Sequence, residues 1–338
     1  MPSRAPLLFR DRADILPNTL VLAWSSLGWL GSFPLMAAPA PIANIFGVLL
    51  CAHAMILAAY LIHEAAHYTL FARRGANVAA GEAMSFIAGA CYASFARIRH
   101  MHIRHHRDRA DVTCFDFRHL LQRRPTLRRI LEALEWAYIP ATELLMHLQV
   151  IWRPFFEASQ RRHLPRAAAM LVLRLALLSA LGLWSPKALL LYGLAYLLLL
   201  QVLGFFDTYH HTFEQYFVEA DQAVPMDGRD RDYEQANTYS NLISARHPWL
   251  NLLTLNFGYH NAHHVQASVP WHRLPALHRA IFGEATQAVM PLGEMLASWH
   301  RHRVHRVATE DYGGPGTEPG HRADGFIGTH GVSFLTVV

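Results

Sequence analysis

Four apolar stretches, arranged as two close pairs, constrain this chain more than any other feature. The first pair is "NTLVLAWSSLGWLGSFPLM" at 18–36 and "IANIFGVLLCAHAMILAAYLI" at 42–62. The second pair is "AAAMLVLRLALLSALGLW" at 167–184 and "ALLLYGLAYLLLLQVLGFF" at 188–206. At about 1.5 Å of rise per helical residue, each can cross a hydrocarbon core of about 30 Å. In hydrocarbon no water satisfies the backbone, so such segments must be helices. The links within each pair, "AAPAP" and "SPK", are short enough to make hairpins. The expected fold is all-α and polytopic: two transmembrane hairpins, four spans, and a helical cap built from the polar segments between and after them.

The flanking charges give an expected orientation. Arg4, Arg10 and Arg12 precede the first span, Arg73 and Arg74 follow the second, and Arg161, Arg162 and Arg166 precede the third. The other side holds only Lys187, the single lysine of the chain. By the positive-inside rule the N-terminal segment 1–17, the cap and both termini are cytoplasmic. The Arg-, Ala- and Leu-rich composition points to a bacterial inner membrane, with the lipid bilayer as a partner. Nucleic acid is not expected as a partner, because the arginines flank apolar segments instead of forming one face. The 3 cysteines are odd in number and lack C-x-x-C spacing, so a disulfide framework is not expected.

Other segments carry weaker signals. Arg174 interrupts the third span and must either snorkel or face protein. The apolar run 81–95 is too short to span and reads as interfacial or buried against the bundle. Residues 126–157 read as a helix lying along the membrane surface. We expect one membrane domain over 18–305 and a disordered, Gly- and Pro-rich tail over 306–338.

Histidine is the outlier of the composition, with 23 residues. Ten of them fall in four clusters: "HEAAH" (His63, His67), "HIRHH" (His102, His105, His106), "HH" (His210, His211) and "HNAHH" (His260, His263, His264). His63 and His67 share a helix face at the end of the second span, and His210 and His211 directly follow the fourth. All four clusters fall at the same end of the spans. His102 and His105 are expected to share one face, with His106 turned about 100° away, and the third cluster to repeat this. The two H-x-x-H-H elements then form two walls of one metal cage. About five nitrogens per metal suit six-coordinate iron better than four-coordinate zinc.

The order and spacing of these boxes, with the paired hairpins, resemble the integral-membrane fatty acid desaturase superfamily, which includes related membrane hydroxylases. The resemblance runs from about Ala52 to Trp271. It implies two non-haem iron ions, dioxygen as co-substrate, electrons from an external donor, and removal of two hydrogens from an acyl chain. It implies as metal ligands His63, His67, His102, His105, His106, His260, His263 and His264. A further ligand follows the last span in this family; His211 is favoured and His210 competes. Some members carry an Asn four residues before that histidine, where this chain has Asp207. Glu64 is a candidate carboxylate for orienting an imidazole.

The implied substrates are an acyl-lipid, an acyl-carrier protein or an acyl-CoA, and the implied donor is a separate ferredoxin-like protein. Hydroxylation of an acyl chain or carotenoid, or formation of a triple bond, could use the same metals. A distant alternative is a membrane zinc protease, in which His63 and His67 bind zinc and Glu64 activates water. That reading leaves most of the clustered histidines without a role.

Overall fold

The computed structural model of the chain describes residues 8–217, 222–283 and 289–329. Residues 1–7 of the expected N-terminal segment, including Arg4, and 330–338 of the expected tail lie outside the described residues. Among the described residues, four helices are long and apolar enough to cross a membrane, and the protein is an integral membrane protein. These helices are α1 (Ile15–Ala37), α2 (Pro41–Ala66), α8 (Leu164–Trp184) and α9 (Pro186–Thr208). Between the hairpins lie α3 (Arg74–Ala88), α4 (Phe95–Asp108), α5 (Phe117–Arg123), α6 (Pro125–Trp136) and α7 (Ala141–Phe156). After α9 come α10 (Arg231–Ala236), α11 (His260–Val265), α12 (Leu274–Phe282) and α13 (Leu292–His302). Two three-residue strands, β1 (Asp111–Thr113) and β2 (Gln215–Phe217), pair in parallel.

The spans extend beyond their apolar runs because polar residues continue them. Asp11 accepts hydrogen bonds from the backbone N–H groups of Ala13 and Asp14, so the chain turns into helix before Asn18. α2 is the axis of the bundle. From Cys51 to Ala66 it is buried almost throughout, and the small residues Ala54, Ala58 and Ala59 let neighbouring helices approach closely. Gly47 shows how tight this packing is: a Cβ there would lie 2.8 Å from the backbone N of Met36 in α1. The outer faces of α1 and α9 remain apolar, with Leu16, Leu20, Leu27, Leu30 and Leu190 exposed, as a lipid-facing surface requires. At the end remote from the histidines the two hairpin links meet, where Lys187 Nζ donates to Ala38 O.

The short apolar run resolves into a re-entrant helix. α3 starts beside the end of α2 and runs back along it. Phe86 reaches Trp29 near the middle of α1, with ring centroids 6.1 Å apart, and Gly89 abuts Tyr196 near the middle of α9. A helix ending inside the bundle leaves unpaired carbonyls, and Arg174 meets this need. Its guanidinium donates to Phe86 O and to Tyr192 OH at 3.3 Å, and lies 4.4 Å from the centre of the Phe86 ring. The arginine faces protein. A charge at mid-bilayer costs about 2.5–3.5 kcal/mol by insertion scales; here the negative end of the α3 dipole offsets that cost.

Two expectations need correction. Residues 126–157 are not one helix: Tyr138, with φ 60, and Pro140 separate α6 from α7. α7 still presents Leu148, Trp152 and Phe156 outward, as an interfacial helix does. The tail is not disordered over 306–329. Phe326 is fully buried among Phe205, Tyr209 and Trp299, Thr208 Oγ1 donates to Thr329 O at 2.9 Å, and Arg306 donates to Tyr209 OH at 3.1 Å. Single aromatic and arginine anchors hold a Gly/Pro-rich segment whose average composition gives no sign of them.

Candidate metal centre

Each cluster is aimed by local features of its own segment. α2 ends in a Schellman motif: Tyr68 N–H donates to Ala65 O at 3.0 Å, and Thr69 N–H to Glu64 O at 3.0 Å. The left-handed position is Tyr68, φ 58, where glycine is usual; a side chain there costs about 1–2 kcal/mol. This ending leaves His63 and His67 on the last turn, facing inward. α4 is capped by Ser94, whose Oγ accepts from Arg97 N–H at 3.2 Å, and closes at Arg109, φ 47. The chain then enters β1, which pairs with β2 in the register Asp111↔Gln215. That pairing ties the end of α4 to the segment after α9 and so brings His105 toward His211.

α11 is fixed by the segment between Thr238 and Asn241. Asn241 N–H donates to Gly258 O at 2.8 Å, and Asn261 Nδ2 donates to Thr238 O. Gly258 has no substitute there, since a Cβ would sit 2.3 Å from Asn241 O.

The result is two adjacent nitrogen groups. His63, His67, His102, His106 and His263 each offer a ring nitrogen within 4.8 Å of the others, and so do His105, His211, His260 and His264. The groups adjoin where the His106 and His264 rings approach to 4.3 Å. The H-x-x-H-H elements are divided, contrary to the expected common face for His102 and His105. In α4, His102 and His106 point to the first group and His105 to the second. In α11 the division is reversed: His263 joins the first group, His260 and His264 the second. Residues four apart on a helix lie about 40° apart around the axis, closer than the 60° of residues three apart, so the outer pair of each motif shares a target and the middle residue turns away.

The contacts between these nitrogens cannot all be hydrogen bonds. His102 Nε2 lies 2.6 Å from His67 Nε2 and 3.2 Å from His106 Nε2. His211 Nε2 lies 3.1 Å from His105 Nε2 and 2.8 Å from His260 Nε2. A neutral imidazole nitrogen carries in its plane either one proton or one lone pair. Each of these atoms can therefore make only one well-directed hydrogen bond, and a cation held between the lone pairs would satisfy both contacts at once. Burial first, and then neighbouring imidazoles, holds His67, His102, His106, His211, His260, His263 and His264 well below the usual imidazole pKa. They are neutral at pH 7, the form a metal ion needs.

Partners on the far nitrogens set the tautomers. His264 Nδ1 lies 2.9 Å from Glu234 Oε1, which leaves His264 Nε2 buried without a hydrogen-bond partner. Glu234 Oε2 accepts from Arg109 Nε at 3.0 Å. His105 Nδ1 is 3.2 Å from Ala110 O, its hydrogen-bond partner, and 3.2 Å from Asp111 Oδ1. His211 Nδ1 is 3.2 Å from Thr238 Oγ1, whose own proton goes to Glu234 O at 2.6 Å. Such outer partners fix ring orientation and raise ligand basicity. Glu234, Asp111, Thr238 and Arg109 were not singled out from the sequence; none stands at a diagnostic spacing from a histidine box.

His210 and Asp207 fall in neither nitrogen group. His210 stacks on His260 at 4.0 Å, and its Nδ1 is 3.6 Å from Asp207 Oδ1. Both line a pocket with Met101, Asp111, Val112 and Phe257 over the second group. Glu64 Oε1 is 3.5 Å from His63 Nδ1, while Oε2 accepts from Thr69 Oγ1 at 2.6 Å and Trp271 N–H at 3.1 Å. A carboxylate engaged in this way is poorly placed to activate a water.

No curated protein matches the chain. A family model described as "Fatty acid desaturase" matches residues 39–295. The match takes in α2 to α12, every clustered histidine and Glu234. The chain therefore belongs to the fatty acid desaturase family.

Proposed function

We propose that the protein is a dioxygen-dependent, di-iron desaturase that introduces a double bond into an acyl chain. The carrying observation is the pair of adjoining imidazole groups, five nitrogens and four, at the histidine-bearing end of the four spans. In this reading His63, His67, His102, His106 and His263 hold one iron, and His105, His211, His260 and His264 the other. A methylene C–H bond has no useful acidity, so acid–base groups alone cannot break it; bound iron supplies the oxidising chemistry.

The overall reaction balances as one acyl –CH2–CH2– unit, dioxygen, two electrons and two protons giving –CH=CH– and two waters. Dioxygen takes four electrons, two from the substrate and two from an external donor such as a ferredoxin. The chain's own residues bind and orient. Glu234, Asp111 and Thr238 hold His264, His105 and His211 with their Nδ1 atoms outward and their Nε2 lone pairs inward. Met101, Val112 and Phe257 give the pocket over the second group an apolar wall for a methylene chain. The acyl group arrives on a lipid, a carrier protein or coenzyme A.

One observation favours hydroxylation as a second reading. The same pocket is also lined by Asp111, Asp207 and His210, which could accommodate a hydroxyl product. The zinc protease reading is disfavoured by the engagement of Glu64 and by the five-nitrogen company of His63 and His67. The arginines at the histidine end, with Lys187 alone at the other, support a cytoplasmic cap and cytoplasmic termini in a bacterial inner membrane.

The test is product analysis by mass spectrometry after incubation with reduced ferredoxin, dioxygen and acyl substrates. Loss of two hydrogens supports desaturation. Gain of one oxygen supports hydroxylation, and no dioxygen-dependent product on any acyl carrier counts against both.

A further inference from the structure

The reading above needs two electrons from outside the substrate, and the molecule offers a specific place for them to enter. α4 carries three of the clustered histidines on its inner face. Most of its arginines are committed: Arg104 and Arg107 to Asp108, Arg97 to His163 and Gln160, and Arg109, just past its end, to Glu234. Arg99 differs. It has no acidic partner among the described residues, and its Cζ stands 4.2 Å from the centre of the Tyr68 ring. Arg74 approaches the same ring at 5.8 Å, and Arg73 precedes it in the chain. Neither has an acidic partner among the described residues, and both are exposed.

Tyr68 thus has two guanidinium groups at its ring, and it directly follows His67. Its backbone is left-handed, φ 58, at a position where glycine is usual. One peptide bond separates this residue from His67, whose Nε2 touches that of His102 at 2.6 Å.

We propose that an acidic one-electron carrier protein docks on Arg73, Arg74 and Arg99 around Tyr68, and that its electrons enter the metal centre through His67. The proposal rests on the di-iron reading. Charge complementarity selects the occupant: Arg74 and the half-buried Arg99 meet at the Tyr68 ring, and exposed Arg73 adjoins Arg74 in the chain. With no acidic partner among the described residues, they form a small positive patch suited to a negative partner. Redox encounters need only small, polar, rapidly exchanging interfaces. Each carrier gives up one electron, so two dock in turn for each turnover, and the protons come from water. The same cations could instead bind anionic phospholipid headgroups at the membrane edge, and the experiment separates the two.

The protein is reconstituted in uncharged phosphatidylcholine nanodiscs, and its reduction by an acidic [2Fe–2S] ferredoxin is followed by stopped flow. The variant is Arg73→Gln, Arg74→Gln, Arg99→Gln; the pair Arg73→Glu, Arg74→Glu, which spares α4, guards against misfolding. Arg123→Gln, Arg124→Gln serves as a control for net charge. Removing the patch should lower the second-order rate constant at low ionic strength by about tenfold or more and flatten its salt dependence. Iron content and reduction by a small neutral reductant should not change, and the control should behave as wild type. An unchanged ferredoxin rate overturns the proposal, as does an equal loss in the control. Loss of co-purifying anionic phospholipid with an unchanged rate assigns the patch to lipid instead. If the wild-type protein holds no iron, the di-iron reading fails and the docking proposal fails with it.

Discussion

Replacing Glu234 by glutamine tests whether the partners behind the histidines matter and whether the two nitrogen groups are separate. The carboxylate serves two donors at once: Oε1 faces His264 Nδ1 at 2.9 Å and Oε2 faces Arg109 Nε at 3.0 Å. Both carboxylate contacts are shielded, with the His264 side chain fully buried. Glutamine keeps the shape but has a single acceptor oxygen. Whichever way the amide turns, its NH2 group opposes a donor, so either His264 or Arg109 loses its partner. Loss of such an outer partner lowers metal affinity by about 10–100-fold, or about 1.4–2.7 kcal/mol. Only the second group contains His264, so only one of two metals should weaken. The assay is metal content by elemental analysis after dialysis against a chelator series. In Glu234→Gln about half the metal should leave at a chelator concentration about 10–100-fold lower than in wild type, with the rest unmoved. Coincident release curves for the two proteins would refute the reasoning, and equal weakening of both metals would refute the separation of the groups.

Other expectations follow from the same geometry. His105→Ala and His106→Ala alter neighbouring residues but different groups; each should perturb a different metal, which metal-sensitive spectroscopy of the two variants can distinguish. Arg174→Met should leave metal content intact but take the charged donor from Phe86 O, which keeps only a 3.4 Å bond from Gly89 N–H, lowering stability by about 1–3 kcal/mol, read as thermal unfolding in detergent. Phe326→Ala should cost about 3–5 kcal/mol if the tail is packed as described; an unchanged unfolding temperature would contradict that packing. The pH dependence has a definite sign. The folded pKa values of His102, His106, His260, His263 and His264 are depressed below 6.5, so below about 6.5 the unfolded chain binds more protons than the folded one. Stability and metal retention should be full above about pH 6.5 and decline as pH falls. Metal retention that is flat down to pH 4 would count against imidazole ligation.

The sequence made the spans and the histidine clusters legible because both are local signals, one in hydropathy and one in spacing. What it could not convey depends on distant partners. The expectation that His102 and His105 share a face favoured the pair three apart over the pair four apart, whose smaller angle of about 40° brings His102 and His106 to one target. Which group each pair joins follows from where α4 and α11 sit around each other. The run 81–95 was too short to read as a re-entrant helix, because its buried end is completed by Arg174 from another hairpin. Glu234 and Asp111 come from polar segments without periodicity, and only folding brings them behind His264 and His105. The packed tail was misjudged because Phe326 and Arg306 act singly within a Gly- and Pro-rich stretch.

The central claim is that nine imidazoles form two iron sites. Metal content of the detergent-purified chain, beside a His102→Ala, His263→Ala variant, tests it most directly. The account predicts about two irons per chain, with the first group's iron lost in the variant. One zinc per chain, retained in the variant, would contradict it and return attention to His63, Glu64 and His67 as a hydrolytic site.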